Sequence, residues 1–198
     1  MLSRRLVLAV SATLLVAGMA LVLQAGWIHA KAVLAQHLLQ HSWQQVLLHN
    51  RNVPAWPWAD IQPVAQLHVP VQAASQLVLD SDSGAALAFA PGVHNGSAMP
   101  GHAGISLVAA HRDTHFAYLK ELAAGDEVFV TRRDKRSVRY RVTDRRVVDT
   151  RQGGLAVRAG QASLLLVTCY PFDAVAAATP YRYVVTTEAV TTTGLSLQ

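Results

Sequence analysis

Residues 6–28 contain no charged side chain, and this stretch limits the chain's possible folds more than any other feature. As a helix rising about 1.5 Å per residue, it is long enough to cross the roughly 30 Å hydrocarbon core of a membrane. Arg4 and Arg5 precede it, and positive charge favours the cytoplasmic side. We therefore predict a cytoplasmic tail at 1–5, a single inner or plasma membrane span at 6–28, and an extracytoplasmic (periplasmic) remainder.

A cleaved signal peptide is the alternative interpretation of this N-terminus. Its apolar region is typically about 7 to 15 residues long and ends at a small-x-small cleavage site. Ala30-Lys31-Ala32 fits such a site only loosely, and it lies late in the segment. The length of the apolar stretch favours an uncleaved anchor.

Residues 29–52 have apolar side chains at helical spacing, which predicts an amphipathic linker helix. The segment also carries His29, His37, His41 and His49. Two of them at i and i+4 can bind a metal, but the Glu of a zinc-protease helix is missing, so we expect a polar face and no metal. Three prolines then end the helix, and Trp56 and Trp58 between them are expected to pack the start of a folded domain at 53–198.

From residue 53 onward the sequence is typical of short strands rich in Val, Leu, Ile and Tyr, separated by Gly, Asp, Asn or Pro. The predicted strands are 65–71, 76–79, 105–110, 127–131, 138–142, 146–148, 163–168 and 182–187. Helical turns are expected only in places such as 114–122. This pattern indicates an all-β domain, an antiparallel barrel or sandwich, and the length of 198 residues allows one such domain with a short appendage.

The formal net charge of +5 raises the question of a nucleic-acid partner. The basic residues cluster in one segment and alternate there with strand-forming residues: Arg132, Arg133, Lys135, Arg136, Arg139 and Arg141. We interpret them as the solvated edge of a hairpin, which discourages aggregation. No nucleic-acid motif accompanies them, and no nucleic-acid partner is predicted.

The sequence contains one cysteine, Cys169, so no internal disulfide can form. An unpaired thiol on an exported chain favours a chemical role. Cys169 follows a buried-strand pattern, and Pro171 breaks that strand, so the thiol stands at a strand end where a site can open.

A cysteine attacks as thiolate, and since a free thiol has a pKa of about 8.5, it needs a cation or base nearby. His111 directly follows the apolar strand at 105–110, and Arg182 begins the strand at 182–187. Cys169, His111 and Arg182 thus all lie at predicted strand ends, which a barrel can bring together around one groove.

The order and local settings of these three residues resemble the sortase family. The resemblance spans residues 53–190 and includes Thr168-Cys169 at a strand end and the Gly125-Asp126 turn before a strand. It implies a closed β-barrel with short helices. The run at 101–116 and Pro57-Trp58-Ala59-Asp60 look most like the sortases of Gram-negative proteobacteria.

Two positions depart from the family pattern. The usual Thr-Leu-x-Thr-Cys reads Leu165-Leu166-Val167-Thr168-Cys169, so the first hydroxyl is missing, and Ala110 stands where many sortases have Gly. Neither change touches the three groups that the chemistry needs. No acidic cluster matches the calcium site of some class A members, and no metal or cofactor is expected.

The resemblance implies a cysteine transpeptidase that cleaves an LPXTG-like sorting signal on an exported protein and transfers it to an amine acceptor. Cys169 would form the thioacyl intermediate, His111 would act as general acid and then base, and Arg182 would hold the oxyanion. Thr168 is either a supporting hydrogen-bond donor or a simple strand residue. His115 is the competitor for the role of His111.

Asp113 could orient an imidazole, but a turn or helix-cap acid is the favoured interpretation. An L,D-transpeptidase is disfavoured, because that class has Gly before the cysteine and Arg two residues after it, where this chain has Thr168 and Pro171. A membrane-anchored cysteine protease shares the thioacyl intermediate and stays open as an alternative. A non-catalytic envelope assembly module, in which Cys169 only fills space, is the remaining alternative.

Overall fold

The computed structural model describes residues 4–152, 162–174 and 179–190. A single long helix, α1 (Arg4–His49), opens this part of the chain. Its 46 residues contain both the 6–28 stretch and most of the segment predicted as a separate linker helix. By length and composition α1 can cross a membrane, and no other described helix can. It ends with Asn50 in the left-handed region (φ 48°), whose N–H bonds the carbonyl of Val46 at 2.8 Å.

The chain divides into two compact units, Met1–Leu38 and Leu39–Gln198. The last turns of α1 belong to the second unit and pack into it. Leu39, Trp43 and Val46 are 0%, 3% and 1% exposed. They form one apolar cluster with Ala55, Ile61, Leu77, Leu79, Ala86 and Ala90. The end of α1 is therefore part of the folded domain's packing.

The two tryptophans at the start of the domain behave differently. Trp56 packs edge-on against Phe89, with ring centroids 5.4 Å apart. Trp58 is 82% exposed. The expectation that both rings pack here is right for Trp56 and wrong for Trp58.

Eight strands follow within the described residues, with a short helix, α2 (Gly84–Leu87), between the second and third. They are β1 (Pro63–Val69), β2 (Ala74–Leu79), β3 (Gly92–Val93), β4 (Ile105–Ala109), β5 (Glu127–Arg132), β6 (Ser137–Asp149), β7 (Ser163–Cys169) and β8 (Tyr181–Ala189). Single 3-10 turns occur at Pro70–Gln72, Ala117–Glu121 and Thr150–Gln152. The strands close into a barrel in the order β1-β2-β3-β4-β7-β8-β6-β5, which confirms the all-β barrel fold.

Three details of this barrel differ from the sequence expectation. β3 was not predicted, because two residues give no periodic pattern. The predicted strands at 138–142 and 146–148 are parts of one strand, β6, with a register shift between Val142 and Asp144. The barrel is also not wholly antiparallel, since β2 pairs with β3 and β4 pairs with β7 in parallel.

The sequence of β7 is apolar without alternation because the strand is buried on both faces. Leu164 and Leu166 belong to the main core cluster, and Leu165 and Val167 to a second cluster. All four are at most 7% exposed. A strand buried on both faces has no polar face, so its sequence is a continuous apolar run.

The basic segment lies on β5 and β6, but it is not a sheet edge. β5 pairs with β1 and β6, and β6 pairs with β5 and β8. The edge interpretation is therefore wrong, because closure of the barrel gives both strands two neighbours. Ion pairs join the basic residues to nearby acids, including Arg132 to Asp134 at 3.1 Å and Arg139 to Glu127 at 3.4 Å.

Candidate active site

Cys169 is the last residue of β7 and is half-buried, with a free thiol. The ladder between β7 and β8 continues one step further, where the Tyr170 N–H bonds the Tyr181 carbonyl at 3.1 Å. Pro171 follows through a cis peptide bond and cannot donate to the ladder. The thiol thus lies at the point where a buried strand leaves the core.

Arg182 is placed opposite Cys169 by the register of the sheet. The two residues are Cα partners in the antiparallel β7–β8 ladder. Side chains that are directly opposite in such a ladder share one face, with Cβ atoms about 5 Å apart. The Nη1 atom of Arg182 donates to the carbonyls of Thr179 (2.7 Å) and Tyr181 (2.9 Å). Arg182 thus pairs with Cys169 in the sheet, and its guanidinium is held by two backbone carbonyls.

His111 reaches the same end of the barrel through the parallel pairing of β4 with β7. Ala109 pairs with Val167, and the N–H of Ala110 bonds the carbonyl of Val167 at 3.2 Å. Because the two strands run in parallel, the residues that follow this pair, His111 after β4 and Cys169 in β7, lie at the same end of the barrel. His111 is exposed to solvent, whereas the apolar residues before it are not.

Thr168 ties the histidine's strand end to that of the cysteine. Its side chain is buried, and its Oγ1 donates to the carbonyl of Ala110 at 2.7 Å. The residue before the cysteine is thus bonded to the residue before the histidine. Thr168 acts here as a hydrogen-bond donor as well as a strand residue.

Asp113 does not take part in this arrangement. It is exposed, and it forms no hydrogen bond or ion pair with His111 or with any other residue of the described chain. The turn in which it lies is closed by backbone bonds, including Phe116 N–H to the His111 carbonyl at 3.0 Å. This geometry favours a turn residue over a third catalytic group.

His115 lies close enough to His111 for the two rings to affect each other. Burial lowers the pKa of His115, and the positive charge of His111 lowers it further. The carbonyl of His115 accepts a bond of 2.8 Å from the Gln76 side chain. His115 is thus held between the active-site loop and β2 in an environment that favours its neutral form.

Two neighbouring side chains, Arg112 and Gln76, hold the loops around the site, and neither was predicted. The Arg112 Nη2 atom donates to the carbonyl of Ala174 at 2.6 Å, which connects the histidine loop to the segment after Cys169. Gln76 binds His115 from 39 residues away. Arg112 could have been suspected from its place beside His111, but Gln76 has no local sequence signal.

The geometry defines a class of protein: a closed β-barrel in which a free cysteine, an arginine and a histidine lie at the ends of three adjacent strands. The family model of the sortase domain matches residues 67–190 of this chain. This match covers more than half of the sequence, so the chain belongs to the sortase family.

Solved sortase structures have the same fold. The chain is similar to sortase A from Corynebacterium diphtheriae, with 24% identity and a TM-score of 0.57 over 67% of this chain and 63% of that one. The match thus spans less than two thirds of that relative. Sortase C-1 from Actinomyces oris is 26% identical, with a TM-score of 0.55 over 65% of this chain and 74% of that one.

The pilus island 1 sortase C2 of Group B Streptococcus is 23% identical, with a TM-score of 0.57 over 65% of this chain and 74% of that one. At such identities the structures establish the fold. No curated protein matches the chain significantly. The affinity to sortases of Gram-negative proteobacteria stays a prediction.

Proposed function

We propose that this chain is a membrane-anchored sortase-type transpeptidase with Cys169 as nucleophile, His111 as general acid and base, and Arg182 as oxyanion donor. The pairing of the strand ends that hold these three residues carries the proposal. The β7–β8 register sets Arg182 opposite Cys169, while the Thr168 bond to Ala110 ties the histidine's strand end to the cysteine's. Family membership supports the same assignment.

In the first half of the reaction, the Cys169 thiolate attacks the carbonyl carbon of the scissile peptide bond. Negative charge develops on the carbonyl oxygen, where the Arg182 guanidinium stabilises it, because arginine stays charged and offers several donors. As the C–N bond breaks, His111 gives its proton to the departing amine. A thioester between Cys169 and the substrate's acyl group results.

In the second half, an amine acceptor attacks the thioester carbonyl. His111, now neutral, takes the proton that the amine loses, and the Cys169 sulfur leaves as thiolate. The exposure of His111 suits this role, since it must serve a departing amine and then an incoming one. No cofactor or metal is part of this scheme.

The proposed substrate is an exported protein with an LPXTG-like sorting signal, by analogy with the family. The proposed acceptor is an amine on a second molecule. We further propose that residues 6–28 anchor the chain in the inner or plasma membrane, with 1–5 cytoplasmic, 29–52 as a linker and 53–198 as the periplasmic catalytic domain. The apolar N-terminal helix supports the anchor.

The experiment uses the full chain in detergent micelles with a Leu-Pro-x-Thr-Gly peptide library and a peptide that has a free amino terminus. Mass spectrometry should find a thioacyl adduct on Cys169 and a ligated product. Both should be lost in Cys169→Ala, and His111→Ala and Arg182→Gln should lower ligation by roughly a hundredfold or more.

Two matched variants control for the general effect of losing a side chain. His102 lies before β4, whereas His111 lies after it. The side chain of Arg136 is 80% exposed on the β5–β6 turn. His102→Ala and Arg136→Gln should keep full activity. An adduct that gives only hydrolysed peptide at every amine concentration would establish a cysteine hydrolase instead. A thiol without an adduct and resistant to alkylation would establish a non-catalytic module.

A further inference from the structure

The three backbone carbonyls just before Arg182 accept hydrogen bonds from two different residues, Arg182 and Thr150. The carbonyls of Thr179 and Tyr181 both accept from Nη1 of Arg182, at 2.7 and 2.9 Å. The carbonyl between them, that of Pro180, faces a different partner. It accepts from both the backbone N–H and the Oγ1 of Thr150, each at 2.9 Å.

The residues beside Thr150 hold the same segment. Arg151 lies over the ring of Tyr181, with its guanidinium carbon 5.8 Å from the ring centroid. Asp149 fixes that guanidinium through bonds of 2.9 Å to Nε and 2.7 Å to Nη2. Asp149 and Tyr181 are also Cα partners in the β6–β8 ladder. Residues 149–151, which we call the clasp, therefore hold the backbone from which Arg182 takes its bonds.

We propose that Thr150, assisted by Arg151, is a positioning residue that fixes the Arg182 guanidinium beside the Cys169 thiol. This inference rests on the proposed role of Arg182 as oxyanion donor. Thr150 acts through the Pro180 carbonyl and does not touch substrate.

The geometry of Arg182 explains why positioning matters. Nη1 is occupied by two backbone carbonyls, and within the described part of the chain Nε and Nη2 have no partner. Those two donors are the ones left for an oxyanion. The guanidinium is planar, so the two carbonyl bonds of Nη1 also set where Nε and Nη2 point. Oxyanion stabilisation depends on donors that are in place before charge develops. Loosening the 179–181 backbone would cost transition-state stabilisation more than substrate binding.

The test compares alkylation of Cys169 in the full chain by iodoacetate and by iodoacetamide at low ionic strength. Both reagents need the thiolate, so the ratio of their rates cancels the thiolate fraction and reports the positive charge near the sulfur. Arg182→Gln should lower the iodoacetate-to-iodoacetamide ratio about fivefold, as expected for one nearby charge partly screened by water. This readout requires no knowledge of the sorting signal.

Thr150→Val keeps the shape of the side chain and removes its hydroxyl donor. We expect it to lower the ratio about twofold, and Thr150→Val with Arg151→Gln to approach the ratio of Arg182→Gln. Thr150→Ser retains the hydroxyl and should restore the wild-type ratio. The matched control is Thr143→Val, because the Thr143 Oγ1 donates to the carbonyl of Thr186 at 3.2 Å, the same kind of β6-to-β8 bond farther from Arg182.

A ratio in the double clasp variant equal to that of wild type, with Arg182→Gln lowered, would overturn the inference. Equal ratios in wild type and Arg182→Gln would also overturn it, since Arg182 would then not face the thiol. If Thr143→Val lowered the iodoacetate-to-iodoacetamide ratio as much as Thr150→Val, the inference would also be overturned, because general loosening of the sheet would explain both changes. Once a peptide substrate is found, Thr150→Val should lower kcat severalfold with KM unchanged, and should add nothing in the Arg182→Gln background.

Ratios that follow the expected order in a chain without transpeptidation would contradict the proposed function alone. Transpeptidation with a lowered ratio in Arg182→Gln and unchanged ratios in the clasp variants would contradict the clasp alone.

Discussion

Tyr118 and Tyr140 differ in what their hydroxyl groups bond. The Tyr140 hydroxyl accepts the N–H of Gly101 at 3.2 Å inside the barrel. The Tyr118 hydroxyl is buried without a partner among the described residues. Burial raises the pKa of both phenols, most strongly that of Tyr118. The buried phenol oxygen is thus hydrogen-bonded in Tyr140 and has no hydrogen-bond partner among the described residues in Tyr118.

This contrast gives a matched pair of variants. Tyr140→Phe leaves a buried N–H without its acceptor, so it should lower the free energy of unfolding by about 1–3 kcal/mol. Tyr118→Phe removes an unbonded hydroxyl, so it should leave that free energy unchanged or raise it by up to about 1 kcal/mol. Urea unfolding of the full chain in micelles measures both. Similar losses in the two variants would contradict the assignment of their hydrogen bonds.

His115 links stability to pH. Its folded-state pKa is lowered, by burial first and by the charge of His111 second, from an ordinary value of about 6.5. The unfolded chain therefore takes up the proton at a higher pH than the folded chain. The contribution of His115 to stability is complete above about pH 6.5, falls as pH drops below that value, and levels off below the folded pKa.

His115→Gln should remove this component, so the variant should lose less stability between pH 7.5 and pH 5 than the wild type does. Thermal melting at a series of pH values measures the difference. His68→Gln is the control, since His68 is exposed on β1. A steeper acid loss in His115→Gln than in the wild type would show that the sign of the shift is wrong.

At the scale of elements, the strands that carry the site could be predicted from sequence. β4 and β7 are apolar runs that lead to His111 and Cys169, and Arg182 lies at the start of the strand-forming segment β8. His111, Cys169 and Arg182 lie at or just beyond the ends of β4, β7 and β8, as those runs indicated. The bonds that connect those ends could not be predicted. Thr150 reaches Pro180 across 30 residues, and Arg112 reaches Ala174 across 62, so no local pattern contains either bond.

The end of α1 is the element whose role the sequence left open. Its last turns were predicted as part of an amphipathic linker. Leu39, Trp43 and Val46 on its apolar face are buried in a cluster with residues from the barrel's second strand and α2. Leu39→Ala should therefore lower the free energy of unfolding by about 2–5 kcal/mol. Leu34→Ala on the same helix, where Leu34 is 58% exposed, should change it by less than about 0.5 kcal/mol.

Truncation tests the same packing. A chain that begins at residue 53 lacks all three side chains, and it should melt at a lower temperature than one that begins at residue 33. Equal melting temperatures would show that the barrel is stable without the end of α1, and that residues 39–49 serve only as a connection.

For the whole molecule, the single cysteine is a built-in reporter of membrane topology. Cys169 is half-buried and carries a free thiol, and no other cysteine competes for a reagent. The proposed orientation sets the barrel on the extracytoplasmic side, because Arg4 and Arg5 precede the span and stay in the cytoplasm. A maleimide that cannot cross membranes should therefore label Cys169 in right-side-out vesicles and leave it unlabelled in sealed inside-out vesicles.

Detergent-opened inside-out vesicles supply the control, since labelling there shows that the thiol is reactive and that only the membrane protected it. Cys169→Ala should give no label in any preparation. Labelling confined to inside-out vesicles would show that the barrel lies on the cytoplasmic side. It would also contradict the proposed function, because a domain on that side could not meet exported substrates. The mass of the labelled chain also separates an anchor from a cleaved signal peptide, because cleavage near Ala32 would remove the whole 6–28 stretch and release the labelled domain from the vesicles.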